Sequence, residues 1–138
     1  MFSKILLPTD GSAHSLRSAE YAVSLAKMSE GTIDIIYAID DKASQIDVLT
    51  TTSKYAVTKK RKEKLSATIE LLKKEGIEHT IHFVHGEPGP TIVEFANKGN
   101  YDCVVVGSRG LNKFQTMVLG SVSHKVVKRV NVPVLVVK

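Results

Sequence analysis

The sequence contains one cysteine, Cys103, and no tryptophan. A lone cysteine excludes an intramolecular disulfide, and no Asn-x-Ser/Thr acceptor for glycosylation occurs. No apolar run approaches the ~20 residues of a membrane-spanning helix. Before Pro8 the chain has only the aliphatic stretch Ile5-Leu6-Leu7, too little for a secretory signal, so a cytoplasmic location without membrane contact is expected. Aromatic residues are scarce, four Tyr and four Phe, and none is interleaved with the densest basic run, Lys59-Lys60-Arg61-Lys62-Glu63-Lys64. A nucleic-acid surface built on stacking is therefore disfavoured, and the run reads as the solvated face of a helix.

What is present is an ordinary globular composition, 43% hydrophobic and 24% charged. A chain of 138 residues is the size of one domain and long enough to bury a core, so a single domain over residues 1–138 is expected. Lys and Arg number 19 against 14 for Asp and Glu, a formal net charge of +5. That surplus suits nucleic acid, an acidic membrane or a phosphate-bearing ligand, and does not choose among them.

Strand and helix patterns alternate along the chain. Ile5-Leu6-Leu7 reads as a buried strand, followed by a helix whose stripe is Leu16, Ala19, Val23 and Ala26 and which Gly31 ends as a C′ glycine. Thr32 to Ile39 is a second strand, so the opening suggests a βαβ unit with parallel strands. Asp40 to Ser53 reads as a polar loop, Lys54 to Glu75 as a long helix with Leu65, Ile69 and Leu72 inward, and Glu78 to His85 as a third strand. Thr91-x-x-Glu94 fits a capping box opening a short helix to about Asn97. Asp102 to Val106 is a fourth strand, Val122, Val126 and Val130 mark a last helix, and Val132 to Lys138 a fifth strand. The pattern predicts an α/β fold: an open, doubly wound, five-stranded parallel sheet with helices on both faces, Rossmann-like.

Ligands of such sheets bind beyond the carboxyl ends of the strands, where the strand order reverses. Two loops there are unusual. In Pro8-Thr9-Asp10-Gly11-Ser12 a proline stops the ladder and Asp10 sets a carboxylate at the mouth of the crevice. Asp10 is a candidate acceptor for a ribose hydroxyl or a base amino group; the same segment also reads as a turn in which Asp10 or Ser12 caps the next helix. After strand four, Gly107-Ser108-Arg109-Gly110 is followed by nine residues and then Gly120-Ser121 at a helix start. Loops of this length in compact domains are usually functional or disordered, and Leu111, Phe114, Met117, Val118 and Leu119 can fold this one back onto the protein. Glycines allow close backbone approach, a helix N-terminus favours an anion, and Arg109 adds a positive charge.

The spacing Gly107-x2-Gly110-x9-Gly120-Ser121 resembles the nucleotide-binding signature of the universal stress protein family. Residues 4–10 (KILLPTD) look like that family's opening strand and turn, 36–40 (IYAID) like its second strand, and 131–137 (NVPVLVV) like its closing strand. The resemblance implies an ATP-binding member. Asp10 and the backbone around Pro8, Thr9 and Ala38 would hold adenine and ribose, with Val106 and Gly107 as floor. Arg109, Gly110, Gly120, Ser121, Val122 and Ser123 would take the phosphates, and Mg2+ or Mn2+ would bridge phosphate oxygens. Some relatives carry histidine at the place of Arg109. The site draws on the loops after strands one and four, so these should be neighbours, giving the order 3-2-1-4-5 rather than 2-1-3-4-5.

His79, His82 and His85 do not converge on a strand, because His82 points to the opposite face, so no metal site is expected. His14 and His124 read as helix-surface residues, and Cys103 as a buried structural thiol. No nucleophile elbow or Ser/His/Asp set occurs, and no general base is evident for water attack. The expectation is a nucleotide-responsive regulator of stress survival without a dedicated enzymatic activity. The alternative is a slow ATPase or autophosphorylating protein. A receiver domain would need an Asp after strand three and a Lys after strand five, and a PP-loop pyrophosphatase a Ser-Gly-Gly turn after strand one; neither pattern is present. The fifth strand, apolar on both faces yet at a sheet edge, suggests a homodimer through Val132–Val137, which the family resemblance also implies.

Overall fold

The computed structural model describes residues 1–40, 62–108 and 119–138. Its elements are β1 (Lys4–Pro8), α1 (Ala13–Ser29), β2 (Thr32–Ile39), α2 (Ser66–Lys74), β3 (His79–His85), α3 (Pro88–Lys98), β4 (Cys103–Gly107), α4 (Ser121–Arg129) and β5 (Val134–Val137). The five strands form one parallel sheet in the order β3-β2-β1-β4-β5, as the placement of the two loops requires.

Alternating side chains divide the core between the two faces. Ile5, Leu7, Ile33, Ile35, Cys103 and Val105 pack with Ala19, Ala22, Val23 and Ala26 of α1 and Leu72 of α2. Leu6, Ile36, Val104 and Val106 pack on the other side with Ile92 and Ala96 of α3 and Val126 of α4. Each large aliphatic side chain removed from water in this way contributes about 1.5–3 kcal/mol. β1 and β4 contribute to both clusters, which is why their sequences are apolar without alternation.

Several local boundaries differ from the sequence expectation. Leu16 is only half-buried, and the inward face of α1 is made by Ser15, Ser18, Ala19, Ala22, Val23 and Ala26. The left-handed residue at the end of α1 is Glu30 (φ 50°), not Gly31. Gly31 is needed for space instead: a Cβ there would lie 2.7 Å from the Phe2 carbonyl oxygen and 2.8 Å from that of Ser3. The capping box at Thr91 is not formed. α3 begins three residues earlier at Pro88, the Thr91 N–H already bonds the Glu87 carbonyl at 3.1 Å, and Glu94 pairs with Lys98. Proline in the first turn costs no intrahelical bond and explains the early start. β5 is shorter than expected, and its side chains are graded: Val137 is buried, Val134 and Val136 half-buried, and Leu135 exposed. His14 is half-buried rather than on the surface, whereas His124 is exposed. The loop expected over 41–53, the first part of the long helix over 54–61, and Arg109 and Gly110 lie outside the described residues.

Candidate functional site

The sheet has its reversal between β1 and β4, and the two strands separate there. Five residues of β1 register with β2, Lys4 to Pro8, whereas only Ile5 and Leu6 register with β4. Beyond the paired segment each strand remains bonded to its outer neighbour. The Thr9 N–H bonds the Ile36 carbonyl of β2 at 3.0 Å, and the Ser108 N–H bonds the Val137 carbonyl of β5 at 2.8 Å. A crevice at the carboxyl ends of β1 and β4 follows from this divergence.

On the β1 side the chain enters α1 through a closed set of short hydrogen bonds. Pro8 and Thr9 are buried and Asp10 is half-buried. The Asp10 carboxylate accepts through Oδ1 from the Ser12 N–H (2.9 Å) and from the Ser15 hydroxyl (2.6 Å). Ser12 is the N-cap, its Oγ accepting from the Ser15 N–H at 3.2 Å. The Gly11 N–H bonds Thr9 Oγ1 at 3.1 Å, and Gly11 takes φ 79°, a conformation that favours glycine. The turn reading and the acceptor reading of Asp10 are thus compatible: Oδ1 serves the turn, and neither of these bonds uses Oδ2. Ala38 on β2 lies two residues past Ile36 and so beyond the end of β1, registered with Val84.

On the β4 side, Val106 is buried and Gly107 ends the strand half-buried. α4 is anchored at this point by two bonds across the loop. The Gly120 N–H reaches the Ser108 carbonyl at 3.0 Å, and the Ser123 hydroxyl donates to the Gly107 carbonyl. Gly120 is the N-cap and makes no side-chain cap, the first turn of α4 carries no acid, and the last turn carries Lys128 and Arg129. The N–H groups of Ser121, Val122 and Ser123 therefore have no intrahelical acceptor and lie at the positive end of the helix. These donors suit an anion.

The fold thus gathers Pro8, Thr9, Asp10, Ala38, Val106, Gly107, Gly120, Ser121, Val122 and Ser123 at the carboxyl edge around the β1–β4 divergence. Ser15 joins this set through its bond to Asp10, beyond the sequence expectation. The available signal was its spacing: Ser12-x-x-Ser15 is the capping-box interval with serine in the third helical position.

The histidines of β3 are separately engaged. His82 Nε2 lies 3.2 Å from Asp34 Oδ2, which also accepts from the Tyr101 hydroxyl at 2.7 Å, and the His82 ring packs on Phe95. His79 Nδ1 lies 2.9 Å from the Ile77 carbonyl. Tyr101 is buried, and burial followed by its bond to Asp34 pushes its hydroxyl pKa well above the ordinary value. Among the described residues no cluster of His, Cys, Asp and Glu has the arrangement of a metal site, and no helix is long and apolar enough to cross a membrane. Cys103 is buried, which raises its thiol pKa.

Comparison with known proteins agrees with this fold. The model of the universal stress protein family matches residues 1–138. The chain is similar to the universal stress protein MJ0531 of Methanocaldococcus jannaschii, with 32% identity over all of this chain and 83% of that protein. Among solved structures, that of the hypothetical protein MJ0577 is similar at a TM-score of 0.84 and 28% identity, covering 100% of this chain and 96% of the other. A universal stress protein solved in complex with cAMP is similar at a TM-score of 0.76 and 26% identity, covering 99% and 97%.

Proposed function

The chain belongs to the universal stress protein family, and from that premise we propose that it binds ATP across the carboxyl ends of β1 and β4. It acts in this reading as a nucleotide-responsive regulator rather than a metabolic enzyme. The observation that carries the reading is the divergence of β1 from β4, with a carboxylate on one side and an anchored, acid-free helix N-terminus on the other. A similar universal stress protein was solved with cAMP, which supports an adenine nucleotide as the ligand class.

Asp10, with the backbone of Pro8, Thr9 and Ala38, takes the base and ribose over Val106 and Gly107. The N–H groups of Ser121, Val122 and Ser123 and the Ser121 hydroxyl take the phosphates, together with Gly120 and, beyond the described residues, Arg109 and Gly110. No carboxylate lies in the first turn of α4, so Mg2+ or Mn2+ would be held by the phosphate oxygens, with water completing its shell. The carboxylate on the β1 side is committed to its turn through Oδ1 and is poorly placed as a general base, so hydrolysis would be slow.

β5 is one of the two edge strands of the sheet, and Leu135 is 37% exposed on it. A second copy pairing along Val132–Val137 would cover that edge.

Calorimetric titration with ATP and magnesium tests the reading. Saturable binding is expected, and its absence at millimolar ATP would end the proposal. Gly120→Val should abolish binding by keeping the phosphates away from the backbone.

A further inference from the structure

Ser15 makes every hydrogen bond its hydroxyl can make, and all of them converge on the turn that carries Asp10. Its Oγ donates to Asp10 Oδ1 at 2.6 Å, the shortest polar contact of the turn. The same Oγ accepts from the Asp10 N–H at 3.2 Å and from the Ser12 hydroxyl at 3.3 Å. The direction of the short bond is fixed by chemistry, because an ionised carboxylate has no proton to give. With its proton donated and both lone pairs engaged, and the residue 9% exposed, Ser15 is unsuited to be a nucleophile. It is well suited to hold a neighbour still.

We infer that Ser15 is a positioning residue for Asp10, fixing the carboxylate so that Oδ2 alone serves as acceptor for a hydroxyl or amino group of the bound nucleotide. The inference rests on the nucleotide-binding reading above. Ser15 lies one helical turn into α1, on its buried side, and ties the carboxylate to a rigid element rather than to the turn alone. A carboxylate held only by the Ser12 N–H could rotate and present either oxygen. Held at Oδ1 from two directions, it offers one acceptor in one place, which is what discrimination between closely related ligands requires.

The consequence is a defined change in selectivity. A site built to accept a hydrogen bond rejects an analogue that lacks the donor, whereas a mobile acceptor discriminates weakly. Affinities for ATP, 2′-deoxy-ATP, 3′-deoxy-ATP and inosine triphosphate are measured by calorimetry for the wild type, Ser15→Ala, Ser15→Thr and Asp10→Asn. The wild type is expected to prefer ATP by roughly tenfold over at least one analogue, and the analogue affected identifies the donor as a ribose hydroxyl or the base amino group. Ser15→Ala should bring that ratio to within about twofold of one, with little change in affinity for the disfavoured analogue. Ser15→Thr, which keeps the hydroxyl, should restore it. If Ser15→Ala does not melt cooperatively, Ser15→Cys, near-isosteric with a weaker donor, takes its place in the comparison. Wild-type discrimination that persists unchanged in the variant lacking the hydroxyl overturns the inference and leaves nucleotide binding standing. A wild type that binds none of the four nucleotides overturns the reading on which it rests.

Discussion

Ser121 and Ser123 stand two residues apart in the first turn of α4, and the structure assigns them opposite phenotypes. Ser123 is 5% exposed, and its hydroxyl is spent on the Gly107 carbonyl, while Ser121 is exposed. Ser123→Ala removes a hydrogen bond worth a net ~0.5–1.5 kcal/mol, and an acceptor left dry raises the cost toward ~1–3 kcal/mol. Gly107 is half-buried and water can reach part of its surroundings, so a loss of about 1.5 kcal/mol is expected. For a chain of this length that corresponds to a fall in Tm of roughly 4–7 °C. Ser121→Ala deletes a solvated hydroxyl and should stay within about 0.5 kcal/mol of the wild type. Nucleotide affinity should show the reverse order. The Ser123 hydroxyl points into the fold and only its N–H is offered to phosphate, so Ser123→Ala should bind ATP within about threefold of the wild type; Ser121→Ala loses a direct contact and should bind roughly fivefold more weakly or worse. Thermal melts by circular dichroism and calorimetry at a temperature well below both melting points measure the two effects separately. Equal Tm losses in the two variants, or an affinity loss confined to Ser123→Ala, would refute the division of labour.

Three further outcomes are expected. Gly31→Ala places a methyl against two backbone carbonyls and should cost about 1–3 kcal/mol of overpacking, read as a lower urea midpoint; an unchanged midpoint would show that the Phe2–Ser3 segment yields freely. Asp102 accepts through Oδ2 from the Ser3 hydroxyl and from the N–H groups of Ser3 and Lys4, which hold its pKa below the usual carboxylate value, the Ser3 hydroxyl first. Its folded pKa is depressed, so its stabilisation is present above the ordinary carboxylate range and lost as the pH falls through the folded value. The Tm gap between wild type and Asp102→Asn should therefore be widest near neutrality and close below about pH 4; a gap independent of pH would contradict this. Leu135→Glu puts a charge on the free edge of β5 and should halve the mass seen in sedimentation velocity; a wild type that already sediments as one chain at micromolar concentration would remove the homodimer from the reading.

The strand order was legible because it depended on two loops rather than on any strand's composition. Pro8-Thr9-Asp10 and Gly107 through Ser121 can serve one ligand only if β1 and β4 are neighbours, and they are. The inward residues of the strands were legible for a simpler reason: continuous aliphatic runs in β1 and β4 mean burial on both faces. What escaped were features decided by tertiary neighbours. Asp34 in the middle of the apolar strand 32–39 has no local explanation; its partners Tyr101 and His82 are 67 and 48 residues away. Gly31 has the position of a helix-ending glycine, yet the crowding that requires it comes from residues 2 and 3. Thr91-x-x-Glu94 has the pattern of a capping box, but two prolines just upstream begin the helix first. Ser15 is a local case: the interval Ser12-x-x-Ser15 marks it as a third-position residue of a capped helix, but its bond to Asp10 appears only in the structure.

The two ends of the β1–β4 pair differ in a way that bears on how the crevice is maintained. At the amino end, the Asp102 N–H bonds the Lys4 carbonyl at 2.8 Å while its carboxylate gathers Ser3 and Lys4, so the strands are held together by backbone and side chain alike. At the carboxyl end, β1 registers with β4 no further than Leu6, while Thr9 and Ser108 remain bonded to the outer strands. The opening therefore follows from the short β1–β4 pairing, and little binding energy is diverted to making it. Substitutions of site side chains should accordingly change affinity and selectivity while leaving the strand divergence intact, and amide exchange at Thr9 and Ser108 should remain slow in every site variant that folds.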